Sequence, residues 1–348
     1  MEYTYNKNEI FPIVEVYHDV IPYLSGIGIK DFFMDKQKCA YAWKTATESL
    51  YGYFGDLFPM RKPSPAPLSY GHLISIGAPF VIPNDGEPNV LPFAHSIDEA
   101  IDILKRRDGK DFSKNEMFQH YVDVWRFLRK SFPEEDISFT GFNHQGPVTS
   151  AVLMRGQDFF YDIYDEPKKC TEFLQLLTDS IIDFIKLCRK INEQPEIQEN
   201  GSIADDFASL IPPAMWDEFV ITFWNHIYES LCSGNDRFVH VENLLPDHLK
   251  YLKNAKITHY QPSVSEKITL QNIKENLDPR ISFDWLLYSY HITSMTDEQI
   301  EDWVDETVHS GVTKIRTQFG AYAVQRNKLD RITMFLKAFD KYSTESPA

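Results

Sequence analysis

A single (β/α)8 barrel, a TIM barrel with a helical N-terminal extension, is the fold the sequence predicts, and three observations predict it. From Ile97 onward short strand-like runs alternate with long amphipathic stretches, the pattern of a parallel sheet whose crossovers are helices. No G-x-G-x-x-G follows any of those runs, which disfavours an open dinucleotide-binding sheet. The length of 348 residues suits one closed barrel, and no repeat, low-complexity tract or flexible linker divides it.

Residues 1–60 read as the helical extension, packed on a barrel expected over 61–348. Asp31 precedes a first turn there, and Tyr41, Ala42, Leu50 and Tyr51 fall at helical spacing. Pro63, Pro65 and Pro67 then make a stiff loop, and a second irregular stretch over 79–92 holds an Asp85-Gly86 turn. Loops of this kind frame a site or tether an arm. Helices are predicted over 97–107, 115–130, 166–192, 213–231, 246–253, 265–276, 296–310 and 325–342. Strands are predicted between them, over 137–142, 196–203, 237–241, 256–260, 280–286 and 313–317.

Composition narrows the function. With 43% apolar and 25% charged residues the chain is globular, and 14% aromatics is a heavy share. A formal charge of −16, from 51 acidic against 35 basic residues, opposes the counterion release that drives non-specific nucleic-acid binding. Nucleic acid and anionic membrane are poor partners for it. Cys39, Cys170, Cys188 and Cys232 form no C-x-x-C pair, so neither a disulfide framework nor a cysteine-rich metal site is expected. Met1 to Glu9 is polar and acidic, unlike a signal peptide, and no apolar run reaches membrane-span length. The expected location is cytoplasmic.

Barrel sites are built at the C-terminal ends of strands, and the polar residues following each predicted strand converge on that end. They are Asn143, His144 and Gln145, then Asp205 and Asp206, His240 and Glu242, His259 and Gln261, Asp284, and finally Arg316 and Gln318. Each has an ordinary alternative. Asp205-Asp206 could cap the helix expected at Pro213, His144 could bond its own loop, and Arg316 could pair with Asp284 inside the barrel. His240-x-Glu242 puts two side chains on one face of an extended segment, which suits half a zinc site; His259 on the next strand is the candidate third ligand. Without a metal, Glu242 would orient His240 as an acid.

Several stretches occur in an order that resembles the uroporphyrinogen decarboxylase superfamily, over the chain from about Gly26 to its last helix. They are Ser25-Gly-Ile-Gly-Ile-Lys-Asp31, Gly141-Phe-Asn-His-Gln-Gly-Pro147 continuing to Arg155-Gly156, Asp205-Asp-Phe-Ala-Ser209 with 213–219, and His240-Val-Glu-Asn-Leu244. The resemblance implies a (β/α)8 barrel. It covers true porphyrinogen decarboxylases and corrinoid-linked methyltransferases, and the subgroup decides the chemistry. The decarboxylases' arginine-rich N-terminal signature is missing, because no arginine precedes Arg61. One echo of them is Phe54-Gly-Asp-Leu57, which would put Asp56 at their pyrrole-binding aspartate. The methyltransferases' H-x-C is replaced by His240-x-Glu242, and Arg316-Thr-Gln-Phe-Gly320 lacks their later cysteine.

The resemblance therefore implies the methyl-donor half of such chemistry: demethylation of a small O-, N- or S-methyl compound, with the methyl passed to a corrinoid. The corrinoid would belong to a separate partner protein, since no D-x-H-x-x-G motif occurs here. His240 and Glu242 would bind zinc or protonate the leaving atom. Asp205, Asp206, His259 and Gln261 would orient the methyl donor, with Asn143, Gln145, Asp284 and Gln318 in the substrate wall and Arg316 balancing the buried carboxylates. A homodimer is among the expected forms. The rivals are a decarboxylase of a smaller carboxylated substrate, with Asp56 and His144 handling the proton, and a non-catalytic barrel that binds a ligand or cobamide.

Overall fold

The computed structural model describes residues 10–83, 86–107, 111–312 and 314–342. Met1 to Glu9, Asp85 of the expected turn and Thr313 at the start of the last expected strand lie outside the described residues. Eight strands are assigned among those described: β1 (Phe11–Val16), β2 (Phe80–Val81), β3 (Asn89–Val90), β4 (Gly201–Ala204), β5 (Arg237–His240), β6 (His259–Gln261), β7 (Ser282–Leu287) and β8 (Lys314–Phe319). β2 and β3 form a small antiparallel ribbon. The others make one parallel sheet in the order β1-β8-β7-β6-β5-β4, the barrel wall of the predicted class. Among the described residues no helix is long and apolar enough to cross a membrane.

Alternation along the strands sets which side chains reach the barrel interior. In β5, Arg237 and Val239 are buried against the outer helices, while Phe238 and His240 face inward and are only half-buried. Ile203, Val239, Tyr260 and Ile315 bury the outer face of the sheet, so one polar row is left pointing into the barrel.

Two corrections concern the strands. Residues 11–16, read as part of the helical extension, form β1 and pair with β8 from Phe11↔Lys314 to Val16↔Phe319. Ile13, Val14 and Val16 favour an extended chain, but the partner that completes the ladder lies some three hundred residues away. The helical reading holds for Val20–Ser25, Ile29–Met34 and Lys36–Phe54, the last capped by the Asp35 carboxylate.

The expected strand at 137–142 is the second correction. It is an extended segment joined to its neighbour by one bridge, Leu68↔Phe142, with Leu68 N–H donating to Gly141 and Asn143 N–H to Leu68. Pro63, Pro65 and Pro67 bring no N–H to that neighbour, which limits its ladder. Gly141 has φ +89, and a Cβ on it would stand 2.7 Å from the Pro65 carbonyl oxygen. These two irregular segments carry the wall between β1 and β4, the second reaching β4 through Gly146 N–H to the Ala204 carbonyl at 2.6 Å.

Helices appear near the expected stretches, but 213–231 is broken into a 3-10 turn, a π turn and helix Thr222–Leu231, 246–253 is reduced to Pro246–Leu249 and a 3-10 turn over Leu252–Ala255, 265–276 starts only at Leu270, and 325–342 is divided into Asp330–Lys337 and a 3-10 turn over Asp340–Tyr342. Pro147–Arg155 and Phe159–Asp165 are helices that the periodicity did not show. β4 lies so close to helix Thr222–Leu231 that a Cβ on Gly201 would come within 2.2 Å of Cys232 Sγ and 2.8 Å of the Tyr228 ring. Gly201→Ala is therefore expected to lower unfolding free energy in a denaturant titration by roughly 1–3 kcal/mol. Adding Cys232→Ala, which removes the nearer atom, should recover part of the loss.

Candidate functional site

A cavity of about 840 Å³ opens at the C-terminal ends of the strands. Seven polar residues from six neighbouring wall positions meet there. β1 supplies Glu15, β8 supplies Arg316 and Gln318, β7 supplies Asp284, β6 supplies Gln261, β5 supplies His240, and Asp206 follows β4. The pleat explains the set: Ala204, His240 and Gln261 are paired in register, and Arg316 lies opposite Leu286 and Ile13.

All of these groups but Gln318 form one connected chain of polar contacts. Arg316 donates to Asp284 at 2.6 Å and also to Glu15. The Gln261 amide donates to Asp284 at 3.2 Å, and its carbonyl oxygen meets His240 Nδ1 at 2.9 Å. His240 Nε2 then faces Asp206 at 3.4 Å, and Asp206 also accepts the Glu242 N–H. Both His240 nitrogens thus face oxygen atoms, the Gln261 carbonyl on one side and the Asp206 carboxylate on the other.

Burial and charge set the acids apart. Burial works to raise the Asp284 carboxyl, but hydrogen bonds and charge from His259 and Arg316 outweigh it and hold the group below the ordinary range. Glu242 goes the other way: burial, helped by the nearby Asp206 charge, raises it against the pull of a Ser263 hydrogen bond. Two carboxyls of one cavity are therefore pushed in opposite directions, Asp284 down and Glu242 up.

Not every expected residue arrives. Gln145, Asp206, His240, Glu242, Gln261, Asp284, Arg316 and Gln318 all line the cavity. Asp205 does not. It is fully buried behind the sheet, where it accepts from Thr149 N–H at 2.6 Å, Val148 N–H at 3.3 Å and Trp224 Nε1 at 2.8 Å. It thus caps helix Pro147–Arg155 rather than the later helix considered from the sequence, because successive residues after a strand point to opposite sides.

His259 lies among the buried polar residues, with Nε2 at 2.7 Å from Asp284 and Nδ1 at 2.7 Å from Ser282, and is stacked on Phe238. His144 lines a separate cavity with Arg189, Tyr228 and Cys232, where burial lowers its pKa. Asn143 is exposed and serves through its backbone, which bonds Leu68 and His72. Asp56 is exposed on the turn after helix Lys36–Phe54 and lines neither mouth cavity.

The expected zinc ligands therefore do not converge. Both His259 nitrogens are engaged away from His240 and Glu242, and no group of three His, Cys, Asp or Glu side chains among the described residues is set to hold a metal. This donor set does not fit a zinc ion.

Sequence reasoning missed Glu15 and Tyr17, together with Ser69, Ser263 and Tyr288. The apolar, β-branched run over 10–16, broken by Glu15 alone, was the available signal for the first two. Tyr17, pushed up to about 12 by burial and by the Glu87 and Asp19 carboxylates, also borders an adjoining cavity of about 640 Å³ that holds Arg61. That cavity occupies the seam between β1 and the proline-rich segment.

Strand-end polar groups around a single mouth define a barrel of the kind on which enzymes build their sites. The chain belongs to the uroporphyrinogen decarboxylase family, whose description matches residues 72–313. The match stops short of β1 and β8, so Glu15, Arg316 and Gln318 lie outside it. Among the solved structures, 23 chains match. One is a methyltransferase from Methanosarcina mazei, 14% identical, with a TM-score of 0.68 over 96% of this chain and 94% of that one. At that identity the likeness shows the fold. Comparison with curated proteins gave no match.

The buried cap has a pH signature. Burial raises the Asp205 carboxyl from 3.8 to about 6 despite its donors, so the native chain holds this proton where the unfolded chain has lost it. Its contribution to stability is full below pH 3.8 and is lost as the pH rises through about 6. The stability difference between wild type and Asp205→Asn should shift over that window by roughly 3 kcal/mol against wild type. Denaturant unfolding at several pH values measures it, and a flat difference would contradict the assignment.

Proposed function

We propose that this chain is a methyltransferase that demethylates a small methylated compound and passes the methyl group to a corrinoid protein. Family membership supports the superfamily, and the barrel likeness to a methyltransferase agrees with the branch. The observation that carries the reading is the acid pair on a cavity poor in cations. His240 is held between Asp206 and Gln261 beside Glu242, whose carboxyl burial raises.

In the proposed reaction the bond between methyl carbon and heteroatom breaks. The methyl carbon passes without the bonding pair to the reduced cobalt of a corrinoid carried by a separate protein. The heteroatom keeps the pair, and its departure is easier with a proton in place. Glu242 and His240 hold that proton against the leaving atom. Asp206 and Gln261 fix the His240 ring, and Asp284 fixes Gln261. A reducing cytoplasm suits both the free thiols and a reduced acceptor.

Decarboxylation of a polycarboxylated tetrapyrrole fits this wall poorly. Arg316 is the one lysine or arginine among the lining residues of the larger cavity, and it is already engaged by Asp284 and Glu15. The proton handlers of the smaller-substrate decarboxylase, Asp56 and His144, do not share a cavity.

Anaerobic methyl transfer to a reduced corrinoid, followed by its absorbance, tests the reading on a panel of methyl donors. His240→Ala and Glu242→Gln should each lose about a hundredfold or more in turnover with the fold retained. Turnover equal to wild type in both would remove the pair from the mechanism. Uroporphyrinogen incubated with the chain should yield no coproporphyrin at enzyme-like rates, as chromatography of the oxidised products would show.

A further inference from the structure

Away from the mouth, one cavity is charged the other way. A space of about 340 Å³ lies among the first residues of β4 and β5 and helices Pro167–Ile191 and Thr222–Leu231. It shares no lining residue with the two mouth cavities. In a chain with 51 acidic residues its lining holds no aspartate or glutamate, whereas Arg189 and His144 both belong to it. Glu199 falls between the lining residues Gln198 and Asn200 in the sequence and is not one of them.

Arg189 is held in place with one edge empty. Its Nη1 donates to the carbonyls of Glu196 and, at 3.0 Å, Leu231. Among the described residues its Nε and Nη2 have no acceptor, and no carboxylate is within ion-pair distance of it. His144 Nδ1 faces the Gln145 carbonyl at 3.3 Å, and its Nε2 has no partner there. None of these three free nitrogens is sealed from solvent. Burial lowers the His144 pKa and the Arg189 charge lowers it further, so the two basic groups are near enough to repel. Burial pushes the Cys232 thiol up, so no thiolate compensates them. Ile185, Ile227 and Leu231 make the cavity's apolar side.

We infer that this cavity is a second binding site, for a small carboxylic acid whose carboxylate lies between Arg189 and His144 and whose short apolar body lies against Ile185, Ile227 and Leu231. It goes beyond the methyl-transfer reading and does not depend on it. A carboxylate accepts two parallel N–H bonds from one guanidinium edge, which is what Nε and Nη2 leave open. Its charge also relieves the repulsion at His144, so the ring takes up a proton on Nε2 and donates as well. An amide of the same shape gains neither. The volume is near the lower end, about 300 Å³, of pockets that hold small molecules.

Butyrate, butyramide and acetate, titrated calorimetrically into the full chain near neutral pH, test the site, with the imidazole resonances of His144 followed by NMR. Butyrate should bind and raise the His144 titration midpoint. Butyramide, without the charge, and acetate, without the apolar body, should each bind about tenfold more weakly or worse. Butyrate should also bind more tightly as the pH falls from 8 to about 6, because the bound state holds the extra proton. The other titratable groups near His144 keep their charge over that range: His72 is lowered to about 3, Tyr228 and Cys232 are raised, and Arg189 stays cationic. Arg189→Gln should bring butyrate down to the affinity of butyramide. Butyramide binding as tightly as butyrate overturns the inference, as does failure of butyrate to bind at millimolar concentration or to move the His144 resonances. Those three results come from the unaltered protein, so they decide even where Arg189→Gln fails to fold. Undiminished butyrate binding to a folded Arg189→Gln overturns it too.

Discussion

Asp284 is the group on which the floor of the cavity depends. A carboxylate that is 1% exposed is tolerated only when donors replace the water it has lost. Arg316, His259 and Gln261 supply those donors from the two flanking strands. Arg316 in turn reaches Glu15 on β1, so one buried charge links four adjacent strands at their C-terminal ends. Removing a partner would leave a buried charge uncompensated, a loss of several kcal/mol. The same bonds hold Gln261 in the position that orients His240. Stability and chemistry are thus joined in one network.

The consecutive acids after β4 divide the work. Asp205 turns behind the sheet, into the N-terminus of helix Pro147–Arg155, where three donors meet it. Asp206 turns into the cavity and meets His240 and the Glu242 backbone. Gly146 permits this, since a Cβ there would stand 2.4 Å from that of Asp205. The tight turn that follows Gln145 therefore positions the cap, the free amide oxygen and the cavity aspartate together.

Acidity at the mouth also bears on which members of the family the site resembles in chemistry. A wall of this charge repels polyanionic substrates and concentrates cations. Arg61 sits in the adjoining seam, outside the larger cavity, so it does not change that balance at His240 and Glu242.

Much of the architecture was legible in the chain itself. Alternation of apolar runs with helical periodicity identified the strands that became β4 to β8, and the polar residue after each marked the open end of the barrel. That works because strand period and helix period are local properties of the sequence. Only tertiary structure decided the rest. β1 is a strand because β8 pairs with it, and Glu15 enters the site by that pairing alone. His259 is withdrawn from its neighbours because Asp284 and Ser282 hold both its nitrogens, which dissolves the three-ligand zinc set that spacing had suggested. Asp205 and Asp206 are alike in the sequence and opposite in place, since the direction of a side chain after a strand depends on the backbone that carries it and on the helix terminus waiting behind. Spacing along a chain records which face a residue can occupy, whereas its partners are chosen by segments that only folding brings near.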